Sequence, residues 1–184
     1  MFAIPIDDEL RLGLLEERHA GPLFELVDAN RAHLRQWLPW LDRNTTPEHT
    51  RAFIKATLEQ HATGNGVACG IFRRGELAGV IGLHYIDWAN RRTSIGYWVA
   101  EAQQGRGLVT RACASLLDYV FSELGLTRAE IACATENARS CAIPERLGFT
   151  KEGVLRQREW LYDHFVDHVV YGLLASEWKG LSRR

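Results

Sequence analysis

The apolar period of this chain switches abruptly from strand to helix at a glycine-bearing junction. Gly66 to Phe72, Leu77 to Ile86 and Thr93 to Val99 are patterned as strands, with Ile95, Tyr97 and Val99 on one face. Directly after the junction, Leu108, Ala112, Leu116, Val120 and Leu124 recur at four-residue steps, with Cys113, Leu117 and Phe121 beside them. That stripe is the mark of an amphipathic helix, and Gly125 is its stop signal. The turn Arg73-Arg74-Gly75-Glu76 joins the first two strands as a hairpin, and Asp87 to Arg92 is a polar loop before the third. Arg128 to Ala134 reads as a strand, and Ala138 to Leu147 as a helix closed by Gly148. Gly153 to Glu159 and Val166 to Leu174 read as a last antiparallel pair. A strand–helix–strand passage set among antiparallel pairs predicts a mixed α/β sheet, mostly antiparallel, with helices on both faces.

The first third is helical in character. Leu10 to Leu15 is a short strand, Pro22 opens a helix, and Arg31 to Trp40 is a second helical stretch closed by Pro39. Thr46-Pro47-Glu48 marks a third helix running toward Ala62, with Thr46 as its cap. No repeat, linker or low-complexity tract divides the 184 residues, so residues 1–184 are expected to form one domain.

A formal net charge of −1 argues against a protein whose work is gripping a phosphate backbone, so no nucleic-acid partner is expected. No apolar run approaches the ~20 residues of a bilayer span, and the N-terminus does not read as a signal peptide. A cytoplasmic home with no membrane partner is the expectation. Cys69, Cys113, Cys133 and Cys141 form no C-x-x-C pair and read as buried thiols. His164 and His168 share a strand face but lack a third ligand of definite spacing, so no metal is expected. Trp37, Trp40 and Trp88 read as core residues before acceptor-pocket residues. Arg73-Arg74 and Arg91-Arg92 read as solvated loop charges.

The junction itself carries chemistry. Gln103-Gln104-Gly105-Arg106-Gly107-Leu108-Val109-Thr110 runs straight from strand into helix. Glycines let the backbone turn and a ligand approach, and the first helical amides are unpaired donors at the positive end of the helix dipole. Together they suit a phosphate or diphosphate, with Arg106 adding charge. The pattern is neither a P-loop nor a Rossmann turn, and glycines kept for packing alone explain it equally well.

Gly96-Tyr97-Trp98-Val99, Gln104-Gly105-Arg106-Gly107, Asn137-Ala138-Arg139-Ser140, Leu147-Gly148-Phe149 and Leu34-Arg35-Gln36-Trp37-Leu38-Pro39-Trp40-Leu41 together resemble the GNAT superfamily of acetyl-CoA-dependent N-acetyltransferases. Within it they resemble the Rim-type branch, which acetylates N-terminal amines of ribosomal proteins. One departure is Val109, where many members carry Gly or Ala. The resemblance implies a splay between two parallel central strands, with coenzyme A in the gap. It implies that Trp98 and Val99 offer backbone groups to pantetheine, and that the amides of Gly105, Arg106, Gly107, Leu108, Val109 and Thr110, with Gln104, hold the diphosphate. The Val99 amide would support the oxyanion of a tetrahedral intermediate.

Asn137 caps the next helix by residue type, and the resemblance adds contact with pantetheine. Ser140 would meet the coenzyme sulfur. Pro144 cannot donate to the Ser140 carbonyl, which either frees a polar group beside the site or simply kinks the helix. Glu159 is the candidate base, with Glu101 and His84 as fallbacks. The acceptor implied is a protein N-terminal amine. A small-molecule amine (a polyamine, a drug or an aminoacyl compound) and a non-catalytic acyl-CoA-binding module stay open. The family commonly pairs as dimers, which makes a homodimer part of the same expectation.

Overall fold

Alternating and doubly buried strands in this chain close one eight-stranded sheet. Its strands are β1 (Ala3–Pro5), β2 (Leu10–Leu14), β3 (Val67–Arg73), β4 (Glu76–Asp87), β5 (Arg92–Val99), β6 (Arg128–Ala134), β7 (Thr150–Leu161) and β8 (His164–Leu174), in the spatial order β1-β2-β3-β4-β5-β6-β8-β7. The computed structural model describes residues 3–180. The helices are α1 (Ala20–Ala29), α2 (Arg31–Leu34), α3 (Pro47–Ala62), α4 (Leu108–Asp118) and α5 (Ala138–Arg146).

Six of the seven residues of β3 are buried, because helices cover both faces of the sheet. On one face Cys69, Ile71, Ile81 and Leu83 pack with Leu108, Ala112, Leu116 and Leu117 of α4. On the other, Ala68 and Val80 pack with Ala20 and Leu23 of α1 and Ile54 of α3. The four-residue stripe read in the sequence is the buried face of α4; Ala112, Leu116 and Val120 are all fully buried. The β3–β4 hairpin turns through Arg74 (φ 51°) and Gly75 (φ 88°), the pair of left-handed residues that matches strand twist in a two-residue loop.

The mixed sheet with one parallel pair is the expected architecture. β5 and β6 run parallel but pair only from Arg92 to Ser94 against Arg128 to Glu130. Beyond that they diverge, which is the expected splay. β5 stays laddered to β4, and β6 to β8.

Some local expectations do not hold. The helical stretch expected from Arg31 to Trp40 ends at Leu34. Tertiary contacts claim the groups that would continue it: Tyr162 donates its hydroxyl to the Leu38 carbonyl at 2.6 Å, and Arg35 forks onto Asp42. The long helix stops at Asp118 and widens over Tyr119–Glu123, where the Leu124 N–H reaches back five residues to Tyr119. Thr46 occupies the cap position of α3, but its side chain makes no capping bond. Trp88 is 49% exposed, not core, and holds the Gly64 carbonyl through its indole N–H. The arginine pairs are not merely solvated: Arg73 and Arg74 both bind Glu9, and Arg92 binds Asp87. The four cysteines are free and buried, as the sequence suggested.

Candidate active site

The splay leaves strand edges without partners. Ala100 N–H donates to the Ala78 carbonyl at 2.9 Å, and antiparallel pairing alternates, so Trp98 also turns its backbone groups toward β4. Tyr97 and Val99 therefore turn theirs the other way, into the gap that β6 has left. Of the two residues expected to offer backbone groups there, Val99 is so oriented and Trp98 is not. The Trp98 ring instead lies 6.4 Å from that of Trp40, against the Leu34 and Leu41 cluster.

At the end of β5, one turn (Glu101–Gln103) leads into the junction. Gly105 (φ 71°) and Gly107 (φ 68°) are both left-handed, and Gly107 occupies the N-cap of α4 with no side-chain cap. Their conformations require glycine, and open space surrounds both positions. Among the described residues, none of the six amides from Gly105 to Thr110 donates a hydrogen bond to a protein acceptor. Six consecutive orphan amides at a helix N-terminus, flanked by open space, fit a diphosphate. Leu108 and Val109 bury their side chains, so only their amides are on offer.

Three side chains tie this junction to its surroundings. Gln104 meets His33 of α2 at 2.7 Å through its amide nitrogen, and its amide oxygen accepts from the Arg139 guanidinium on α5. Arg139 thus crosses the mouth of the splay. Arg106 is exposed and makes no ion pair among the described residues. It borders an open depression of about 470 Å³ with Arg73 and Arg111, which are held by Glu9 and Asp7.

On the far wall, Asn137 accepts the Ser140 N–H at 3.1 Å, the cap expected from its residue type. The Ser140 hydroxyl lies 3.2 Å from Cys133 Sγ and 3.4 Å from the Tyr97 oxygen. The Tyr97 hydroxyl donates to the Ser140 carbonyl at 3.1 Å. Pro144, four residues on, has no N–H to give that carbonyl. Burial pushes the Cys133 thiol up to about 11, which keeps it protonated near neutrality. Cys141 is buried, with Sγ 3.7 Å from the Ala134 carbonyl.

Glu159 follows an irregular stretch of β7. Pairing with β8 breaks between Leu155 and Glu159, Gln157 is left-handed (φ 49°), and its N–H is held by Asp167 at 2.7 Å. The break re-aims Glu159, whose carboxylate lies 3.5 Å from His168 Nε2 on β8. His168 stands opposite Ala134, where β6 ends beside the splay. His84 sits at a bulge of β4, and its ring fills the space over Gly96, where a Cβ would come within 2.0 Å of Nε2. Burial lowers the His84 imidazole below its ordinary range, and the Glu159 charge opposes that shift. The other fallback, Glu101, is exposed at the end of β5. His164 pairs with Asp163 rather than with His168.

Two contacts tie the sides together: Tyr97, next but one to Val99, reaches Ser140, and Gln104 of the junction reaches Arg139 of α5, while Glu159 stands on β7 beside His168. Sequence reasoning gave no site role to Tyr97, Arg139 or His33, and weighed His168 only as a metal ligand. Tyr97 carried a strand signal and a place inside Gly96-Tyr97-Trp98-Val99, and Arg139 was visible only inside Asn137-Ala138-Arg139-Ser140.

The chain is similar to known acetyltransferases along nearly its whole length. The family model described as an acetyltransferase (GNAT) domain matches residues 9–150. YdaF of Bacillus subtilis (strain 168) is 38% identical over 98% of this chain and 99% of its own. The ribosomal-protein-serine acetyltransferase of Escherichia coli (strain K12) is 33% identical over 94% of this chain and 97% of its own. Among solved structures, RimL, the ribosomal L7/L12 alpha-N-protein acetyltransferase in complex with coenzyme A, superposes with a TM-score of 0.91 at 31% identity. That match covers 94% of this chain and 98% of RimL.

Proposed function

The chain belongs to the GNAT acetyltransferase family and uses acetyl-CoA, and from that premise we propose that it acetylates the N-terminal α-amine of a ribosomal protein by direct attack through a tetrahedral intermediate. The observation that carries the reading is the run of six orphan amides, Gly105 to Thr110, at the mouth of a splay that leaves the Val99 amide unpaired. Acetyl-CoA supplies an acetyl thioester, already activated for transfer to an amine.

The residues divide the work. The junction amides and Gln104 hold the diphosphate, with Arg106 and Arg139 adding positive charge from either side. Val99 donates its N–H where charge develops on the acyl oxygen. Asn137 fixes the start of α5 and faces pantetheine. Ser140 donates a hydrogen bond from its hydroxyl to the departing sulfur, which eases the build-up of thiolate charge. Trp98 contributes a ring rather than backbone groups, because β4 already holds its N–H and C=O. Glu159 takes the proton from the acceptor amine. An α-amine with a pKa of ~7.7–8.0 asks only modest help near neutrality, where a lysine amine at ~10.4 asks far more. A homodimer and a cytoplasmic setting belong to the same reading. β7 is one of the two edge strands, with Val154 and Leu155 exposed along it.

The test is acetylation by the purified protein, read by mass spectrometry. The acceptors are peptides beginning with Ser or Ala, set against a panel of polyamines and other small amines. Transfer to the peptide α-amine is expected. Transfer to the small amines alone would move the acceptor class, and coenzyme binding without any transfer would reduce the protein to a binding module.

A further inference from the structure

A proline inside a helix removes one backbone donor, and in α5 the carbonyl left short is that of Ser140. This carbonyl lies next to the side chain assigned above to the coenzyme sulfur. The donor that replaces the missing N–H comes from across the splay: the Tyr97 hydroxyl, on β5, reaches the Ser140 carbonyl at 3.1 Å. Its hydrogen is committed to that carbonyl, so its lone pairs face the Ser140 hydroxyl 3.4 Å away. Tyr97 therefore touches Ser140 twice, as donor to its main-chain carbonyl and with its oxygen beside the side-chain hydroxyl, whose one hydrogen can face the Tyr97 oxygen or the nearer Cys133 sulfur.

Three elements meet in this contact. β5 supplies Tyr97, α5 supplies Ser140, and β6 supplies Cys133, whose sulfur is 3.2 Å from the Ser140 hydroxyl and 4.0 Å from the Tyr97 oxygen. The clasp bridges the strands that have stopped pairing. Burial pushes the Tyr97 phenol well above its ordinary range, with the Cys133 and Cys113 thiols acting in the same direction. It remains a neutral hydrogen-bond donor.

We propose that Tyr97 is the positioning residue for Ser140, and that Pro144 is the sequence device that keeps the Ser140 carbonyl available to it. The inference rests on the reading that Ser140 serves the coenzyme sulfur. Tyr97 sets where the Ser140 hydroxyl sits by holding the Ser140 carbonyl, which leaves the hydroxyl hydrogen to turn to the sulfur when coenzyme is bound, and Pro144 removes the backbone donor that would compete for the same carbonyl.

Two thermodynamic cycles test this. In the first, Tyr97→Phe lowers kcat about fivefold, the size of one neutral hydrogen bond, with KM for acetyl-CoA within about twofold of the parent. Ser140→Ala lowers kcat by more, and adding Tyr97→Phe to it changes nothing further. Additive losses would overturn the proposal. A Ser140→Ala protein with full kcat would remove the underlying assignment of Ser140, and the proposal with it. A drop with Ser140→Ala but none with Tyr97→Phe would remove the proposal alone.

The second cycle uses the protein without coenzyme. Tyr97→Phe lowers the melting temperature of the parent, and lowers it less in the Pro144→Ala protein, where residue 144 regains an N–H for the Ser140 carbonyl. Equal drops in both backgrounds would show that the hydroxyl does not serve that carbonyl.

Discussion

The Arg139 guanidinium donates to the side-chain oxygen of Gln104 across the opening between β5 and β6. Gln104 in turn contacts His33 at 2.7 Å, so one amide side chain joins α2, the junction and α5. A ligand whose diphosphate lies on the Gly105 to Thr110 amides meets the Arg139 fork beside it. Replacing Arg139 by Ala is expected to weaken coenzyme A about fivefold, the worth of one exposed charge contact, in calorimetric titrations. Acetylated pantetheine, which lacks the diphosphate, should bind both proteins alike.

Gly107 caps α4 with φ 68° and no side chain. Gly107→Ala meets no neighbour but holds a Cβ residue in the left-handed region, at a cost of roughly 1–2 kcal/mol. Relaxation of that strain would turn the first amides away from the splay. Coenzyme affinity should fall by about tenfold or more, while denaturant unfolding shows a loss of no more than about 2 kcal/mol.

Glu159 lies 3.5 Å from His168, and the base role proposed for it matters most where unprotonated acceptor is scarce. Glu159→Gln should therefore depress kcat/KM more at pH ~6.5 than at pH ~8.5, above the α-amine pKa of ~7.7–8.0. An unchanged pH–rate profile would transfer the role of base to another group.

Stability should fall in two stages as pH drops. Burial lowers both the His19 and the His84 imidazoles, and the Glu16 N–H donates to neutral His19 Nδ1 at 3.0 Å. Below pH ~6.5 the unfolded chain takes up protons that the folded chain resists, so this contribution is full above that pH and is lost below it. Carboxylates follow: Glu152 is held low by hydrogen bonds from Arg128, and Asp87 by Asn90 and then Arg92. Their contribution is full above ~4 and is lost as pH falls through the lowered values. Melting temperatures at pH ~7.5, ~5.5 and ~3.5 should decline at each step. No change across the first step would argue against the histidines.

Leu116 is fully buried between α4 and the sheet. Leu116→Ala should cost about 2–5 kcal/mol in denaturant unfolding, and coenzyme affinity at temperatures where the protein stays folded should hold.

The elements that dictated themselves were those with a single strong period or a compulsory residue. The β3–β4 turn and the Asn137 cap rest on contacts within a few residues, and the α4 stripe on a regular period, all of which a sequence displays. The stretch after Leu34 failed for the opposite reason. Its helix is ended by Tyr162 and Asp42, partners that lie far along the chain or in the next turn, and no local pattern announces them. The site divides the same way. The amides of Gly105 to Thr110 were legible because glycine and a helix start are local signals. Glu159 was nameable only through family resemblance, since its aim depends on an irregular stretch of β7 and on His168 across the strand pair. Tyr97 was invisible as a site residue because its partner, the Ser140 carbonyl, is main chain on an element that follows much later.

The seam between β5 and β6 is short, three residues of parallel pairing at its closed end, and the Tyr97–Ser140 contact spans it farther along, over a core shared by both halves of the sheet. Whatever fills the cleft and accepts from Val99 acts as a rivet. The empty protein should then exchange the Tyr97 and Val99 amide hydrogens quickly, and loading with coenzyme should slow them while those laddered between β3 and β4 keep their pace.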